Sequence, residues 1–229
     1  MKNSIFILLC SLFLVNSAFA KDAISRVFYY DEAEQGAASQ TMRYIVNKNY
    51  LRIDNGQDNA DFILFDVEQK MIHSINHEDK TILKIENKKW QTPKFDFNVN
   101  AQFKTMQDAP KISDKQVFSY FLKADDIICT QVSLIKDMFA DDMQVFYQYQ
   151  QVLSGQQVAT LNNTPEELHT PCFLIDQIYH SGDYYKKGLP VHISYSRGYE
   201  KFLKDYKESE IDVKLFIKPE GYSEYTAAF

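Results

Sequence analysis

Glycine and proline are scarce, at seven and six residues in a chain of 229. Disordered linkers and collagen-like segments need far more of both, and no low-complexity stretch, internal repeat or domain boundary is visible. No run after residue 20 comes near the ~18 apolar residues of a membrane-spanning helix. An excess of positive charge is missing too. The formal net charge is −6, which disfavours nucleic acid and anionic lipid surfaces as partners. The chain has no His-Glu-x-x-His sequence, no P-loop and no complete nucleophile elbow. Ser194-Tyr195-Ser196-Arg197-Gly198 lacks the first glycine of the elbow and lies between strands. These absences weigh against an enzyme, although distant residues can assemble a site.

What is present begins with an export signal. Lys2 gives a positive start, Ile5 to Val15 a short apolar core, and Ala18-Phe19-Ala20 the small-x-small pattern before a cut. We expect residues 1–20 to be a secretory signal peptide, cleaved between Ala20 and Lys21, and the protein to reach a Gram-negative periplasm. Removal of Lys2 would make the mature chain one unit more negative. Cys10 lies inside the apolar core after Leu8-Leu9, which does not fit a lipidation site. Residues 21–229 suit one β-rich domain.

Cys129 and Cys172 are then the remaining cysteines. An even pair in an oxidising compartment reads as a disulfide, which would staple the intervening helix to a sheet. Two buried free thiols are the rival reading.

The centre of the chain is Gln40 to Glu86. Five short runs rich in β-branched and aromatic residues end in turn chemistry: Gln40–Asn47, Asn49–Asp54, Asp61–Asp66, Lys70–Asn76 and Lys80–Glu86. Alternation puts Met42, Tyr44 and Val46 on one face, with Leu51 and Ile53, then Met71 and Ile75, then Thr81, Leu83 and Ile85. Phe62-Ile63-Leu64-Phe65 is apolar on both faces and predicts cover on both sides. Ala23–Asp31 is a first strand, and Glu32–Ser39 a polar loop. Asn87–Pro110, with Trp90, Phe95, Phe97 and Phe103, reads as an irregular or short helical segment over the sheet, or as a movable cover of an apolar cavity. Gln116–Lys123 and Ile127–Leu134 form a hairpin.

One strong helix follows, from Asp141 to about Asn162, with Asp141 or Asp142 as N-cap. Its apolar stripe holds Val145, Phe146, Tyr149, Val152 and Leu153. Cys172–His180, Tyr184–Tyr195, Tyr199–Glu208 and Ile211–Ile217 read as returning strands, with a bulge or break at Gly188-Leu189-Pro190. The order predicts a mainly β (α+β) fold: one large curved antiparallel sheet, half-barrel in form, with one long helix and short helical or irregular segments on the concave face.

Polar clusters offer little chemistry. His73 and His77 beside Glu78 and Asp79 suggest zinc or copper only loosely, since no third ligand is set by spacing. The Asp54–Asp61 oxygens lack EF-hand spacing and read as a hairpin loop. No metal or other cofactor is expected.

Tyr50-Leu51-Arg52-Ile53-Asp54, Phe62-Ile63-Leu64-Phe65-Asp66, His73 to Leu83 and Leu215-Phe216-Ile217-Lys218-Pro219-Glu220-Gly221-Tyr222 together resemble uncharacterised proteobacterial periplasmic proteins. These look like distant relatives of the LolA/LolB lipoprotein-carrier superfamily. The resemblance implies an incompletely closed sheet whose apolar concavity holds acyl chains. Where the carriers have an Arg near the first hairpin turn, this chain offers Lys48. The first expectation is therefore a non-enzymatic binder of a lipid, an acyl chain or an acylated partner such as a lipoprotein. Its ligand-binding face would be Met42, Tyr44, Leu51, Ile53, Phe65, Leu83 and Ile85. An envelope structural or assembly factor with a filled core is the alternative, and a hydrolytic enzyme the third.

Overall fold

Short alternating strands closed by Asx turns account for the first half of the molecule. The structure, a computed structural model, describes residues 23–227 apart from Pro93, Glu166 and Leu168. The expected signal peptide and its cut at Ala20 and Lys21 lie outside those residues. Strand β1 (Ala23–Ala33) is followed by the meander β2 (Gln40–Val46), β3 (Tyr50–Asp54), β4 (Phe62–Asp66), β5 (Met71–Asn76) and β6 (Thr81–Glu86). Two of its turns repeat one device. The Asp66 carboxylate accepts the Gln69 N–H at 2.8 Å, and the Asn76 side chain accepts the Asp79 N–H at 2.6 Å. Lys70 and Lys80 then close the turns in the left-handed region.

The second half adds β7 (Val99–Thr105), β8 (Val117–Ala124), β9 (Ile127–Lys136), helix α1 (Ala140–Thr160), β10 (Gly188–Tyr195), β11 (Glu200–Ile211) and β12 (Ser223–Thr226). All twelve strands form one open sheet in the order β12-β6-β5-β4-β3-β2-β1-β11-β10-β9-β8-β7. The first strand thus joins the two halves, pairing antiparallel with both β2 and β11. Every pairing is antiparallel except the last, where β12 runs parallel to β6. The half-barrel sheet with its long helix agrees with the sequence expectation. So does the β10 bulge, between Pro190 and His192.

Two cores hold this sheet. The inner one gathers Phe28, Tyr30, Val46, Leu51, Phe65, Ile72, Leu122 and Leu134 beneath α1, which contributes Met143, Phe146, Tyr149 and Val152. The outer one packs Val27, Ile45, Phe62, Leu64, Ile75 and Ile82 under Phe216. Phe62–Phe65 is therefore covered on both faces, as its composition implies. Within the helix, Gly155 lies against the chain after β6. A Cβ there would sit 2.7 Å from the Lys88 carbonyl oxygen, so no larger residue fits.

Several elements differ from the expectation. Cys172–His180 is not a strand. Cys172 is bonded to Cys129 on β9, and Phe173–Tyr179 coils as a π-helical segment that buries Ile175 and Ile178. The bridge leaves this stretch to pack against the helix rather than to pair. Asp183–Lys187 is a 3₁₀ turn, so the expected Tyr184 strand begins only at Gly188. The alternating Ile211–Ile217 run ends in a 3₁₀ turn, because the Asp212 side chain accepts the Lys214 N–H at 2.9 Å. That turn drops Phe216 onto the outer face. Asn87–Pro110 is only partly irregular and contains strand β7. Helix α1 is preceded by Phe139 in a left-handed conformation, with no side-chain cap; Asp141 and Asp142 lie in the first turn, where they favour the helix dipole. Ile75 is on the outer face, opposite Phe62 and Ile82, and Ile72 takes the inner position.

Leu51 is fully buried on the inner face. Leu51→Ala is expected to cost about 2–5 kcal/mol, through lost burial and a residual cavity. Ile127→Ala, at an exposed hairpin tip, should stay within about 0.5 kcal/mol. Urea unfolding of both variants, followed by circular dichroism, measures the difference.

Candidate functional site

The inner face is not filled everywhere. Where the middle of α1 meets the sheet, at Phe146, Tyr149, Gln150 and Leu153, a cavity of about 330 Å³ remains. Met42, Ile53, Ile63 and Leu153 give it one apolar side, and Tyr44, Tyr149, Tyr184, Tyr185, Tyr195 and Tyr199 supply phenol groups. Its charged members are Glu32, Arg197 and Lys201. Strand register creates the central pair, since Glu32 on β1 stands directly opposite Lys201 on β11.

Three donors converge on the Glu32 carboxylate. The Lys201 ammonium lies 3.1 Å away, the Tyr199 hydroxyl donates at 2.9 Å, and the Tyr44 hydroxyl donates to the same oxygen as Lys201. Lys201 is itself buried, its Nζ 3.7 Å from the centre of the Tyr44 ring and 4.3 Å from that of Tyr30. Burial pushes the Glu32 carboxyl up. The Lys201 charge and the three hydrogen bonds outweigh it and hold the group below its ordinary value. Burial also lowers the Lys201 ammonium, against the attraction of Glu32. The two shifts pull the pair in opposite directions. Glu32 decides, because three donors require its ionised form, and the pair stands as carboxylate and ammonium.

The phenols around the pair are uncharged donors. Burial raises Tyr44, Tyr184 and Tyr185 well above the ordinary value and pushes Tyr195 up to about 12. The Tyr184 and Tyr195 hydroxyls are 2.9 Å apart. The Tyr30 hydroxyl donates to the Pro190 carbonyl at 3.0 Å, beside the β10 bulge. Asp176, on the π-helical segment, is buried beside Gln177. Burial drives its carboxyl up to about 7, while the Gln177 hydrogen bond and the Arg197 charge oppose the rise.

Of the residues the sequence singled out as an apolar binding face, Met42, Tyr44 and Ile53 line the cavity. Leu51 and Phe65 are sealed in the core, and Leu83 and Ile85 pack around it outside the cavity lining. The Glu32–Lys201 pair was missed. Glu32 reads as part of a polar loop, and only the β1–β11 pairing brings Lys201 to it. His73 and His77 do not assemble a metal site. His77 Nδ1 is 2.7 Å from the Tyr222 hydroxyl, and no group of three or more His, Cys, Asp or Glu among the described residues could hold a metal ion. No helix among them is long and apolar enough to cross a membrane.

No family model matches the chain, and no curated protein matches it. Two solved structures of PNGF-II, in the C2 and P21 space groups, are similar to it at 10% identity, with TM-scores of 0.42 and 0.44. Each covers 90% of this chain, which spans 31% and 32% of theirs. A likeness this slight carries no argument about function.

Asp176 generates a pH prediction. Its folded value lies above its unfolded value near 4, so the folded state disfavours the ionised form. Stability from this group is complete below about pH 4 and falls as pH rises towards 7. Asp176→Asn removes that loss while keeping an acceptor for Gln177. The variant should be more stable than wild type at pH 8, by up to a few kcal/mol, and the gap should close at pH 4. Urea denaturation at the two pH values measures it. An equal gap at both would refute the assignment.

Proposed function

We propose that this protein is a non-enzymatic binding module that takes a small amphipathic molecule, of lipid or acylated type, into the cavity between α1 and the sheet. One observation carries the proposal: a packed inner core is interrupted by a space of about 330 Å³ with an aliphatic side and a phenol-rich polar side. At ~30 Å³ per small group, that space accepts about ten non-hydrogen atoms. Burying each methylene of a chain there contributes ~0.8 kcal/mol before ordering costs. The charged groups are arranged for holding rather than for chemistry. Glu32 and Lys201 are paired with each other, and among the described residues no group of three or more His, Cys, Asp or Glu could hold a metal ion. The Cys129–Cys172 disulfide supports an oxidising compartment, such as the periplasm that the signal sequence suggests.

The filled part of the inner face favours a second reading. Leu51, Phe65 and Ile72 are covered outright by α1, as in an envelope structural or assembly factor that needs no ligand. The two readings separate by titration with N-phenyl-1-naphthylamine, an apolar dye that fluoresces when removed from water. Binding predicts saturable uptake, and Leu153→Trp, which fills the cavity from α1, should weaken it at least tenfold without changing the circular dichroism spectrum. Absence of saturable uptake by the wild type would favour the structural reading.

A further inference from the structure

We infer that the cavity selects ligands carrying one anionic head group, carboxylate or phosphate, and that Arg197 recognises that group. The inference rests on the binding reading above and goes beyond it in naming the ligand class.

The first observation concerns the arginines. The chain has four. Arg26 pairs with Asp142 and Glu208, Arg43 with Asp54 and Asp58, and Arg52 with Asp54. Among the described residues, Arg197 has neither an ion pair nor a hydrogen-bonded acceptor, and it lines the cavity. Its guanidinium lies 5.0 Å from the Tyr195 ring centre and 5.3 Å from that of Tyr199. The side chain is exposed at the cavity edge, so its N–H groups are open to a ligand.

The second observation is how that residue is held. Arg197 sits in the turn between β10 and β11. The Gly198 N–H donates to the Tyr195 carbonyl at 2.9 Å, the Tyr195 N–H to the Tyr199 carbonyl at 3.0 Å, and the Ser196 N–H to the Cys129 carbonyl at 2.9 Å. The last bond ties the turn to the disulfide-bearing strand. Gly198 has a φ of 87° and lies against Gln35, where a Cβ would come within 2.7 Å. These bonds fix the backbone from which the exposed Arg197 side chain extends to the edge of the cavity.

Charge complementarity completes the case. Glu32 and Lys201 cancel, so the lining keeps the positive charge of Arg197, in a protein of formal net charge −6. A single negative group is its complement, and the bidentate fork suits a carboxylate or a phosphate. The tail has a place as well. Ile63 on β4 and Arg197 beyond β10 lie far apart in strand order, so an anionic head at the turn directs a chain towards Ile53, Ile63 and Leu153. The cavity volume suits a chain near eight carbons.

The test displaces N-phenyl-1-naphthylamine with octanoate, octyl phosphate or octan-1-ol at pH 6, where octanoate is ionised and Asp176, driven up to about 7 by burial, is mainly uncharged. Wild type should release the dye to at least one anion at a concentration at least tenfold below that needed for octanol. Whichever anion is preferred identifies the head-group source. In Arg197→Gln the ratio should fall to near one. Arg197→Glu should invert it, so that octylamine outcompetes octanoate. A merely structural role for Arg197 would weaken all competitors together and leave the ratio intact, which would overturn the inference. So would equal displacement by anions and alcohol in wild type. Dye uptake without anion preference defeats this inference alone, whereas absence of dye uptake defeats the binding reading and this inference with it.

Discussion

One helix has to close the inner face of a twelve-stranded sheet, and most of the architecture follows from that constraint. Helix α1 has 21 residues, so it is ~32 Å long and ~10 Å wide. It touches strands from β6 to β10, which lie seven spacings apart in sheet order, or ~34 Å at ~4.8 Å each. Its length therefore matches the crossing, but its width does not match strands of up to 12 residues. The helix forms a bar, and the sheet on either side of it must be covered by other means. The π-helical segment, the 3₁₀ turn at Asp183–Lys187 and the aromatic stretch around Phe95 and Phe97 supply that cover. The disulfide explains how the first is held, since Cys172 enters the segment already bonded to β9. The cavity lies where this cover is incomplete.

The same constraint explains where the polar groups are. β1 joins the meander β2–β6, which follows it directly, to a second half that returns much later in the chain. The only strand that borders both is β1, and its far end carries Glu32 opposite Lys201. A cross-strand ion pair at that point ties the junction together. Tyr44 from β2 and Tyr199, the residue just before β11, donate to the same carboxylate, so both neighbours of β1 are fastened through one side chain. The outer face has its own version. Asp54 on β3 accepts from Arg43 on β2 at 2.8 Å and from Arg52 at 2.6 Å, and Arg52 also donates to the Leu215 carbonyl at 2.8 Å. Burial would raise the Asp54 carboxyl, yet hydrogen bonds from Arg43, Arg52 and the Gly56 N–H hold it below its ordinary value. The C-terminal segment is thus pinned to the sheet by a satisfied buried charge as well as by Phe216.

Local signals carried the sheet, and long-range geometry carried the site. Alternation and Asx turns are properties of a few adjacent residues, so the Gln40–Glu86 meander and the two-sided Phe62–Phe65 strand were legible. The Cys129–Cys172 bridge needed only parity and compartment. Three kinds of feature were not legible. Ile211, Val213 and Leu215 alternate like a strand, and only the Asp212 cap diverts them. The residues between Cys172 and His180 are as apolar as a strand, but a bridge to β9 and contact with α1 decide their coil. Glu32 and Lys201 are both ordinary surface residues by type. Nothing in sequence near either one signals that register would bury them together, and the face that alternation marked as binding is largely sealed by the helix it also predicted.

A protein needing only a core would have little use for what surrounds this cavity. A buried ion pair is commonly matched or bettered in stability by apolar residues of similar volume, because desolvation offsets the attraction. Six phenols line the space where leucines would fill it, and Asp176 is held in apolar surroundings that disfavour its charge. Phe139 opens the helix in a left-handed conformation without a side-chain cap, and such a conformation costs on the order of 1–2 kcal/mol for a residue other than glycine. Each of these features opposes the folded state unless the surrounding structure compensates. The ion pair and the phenols lie together at the cavity, with Arg197 at its edge, whereas Phe139 packs on Phe28 and Arg26 towards the other end of β1; only the first group is what the proposed binding reading calls for.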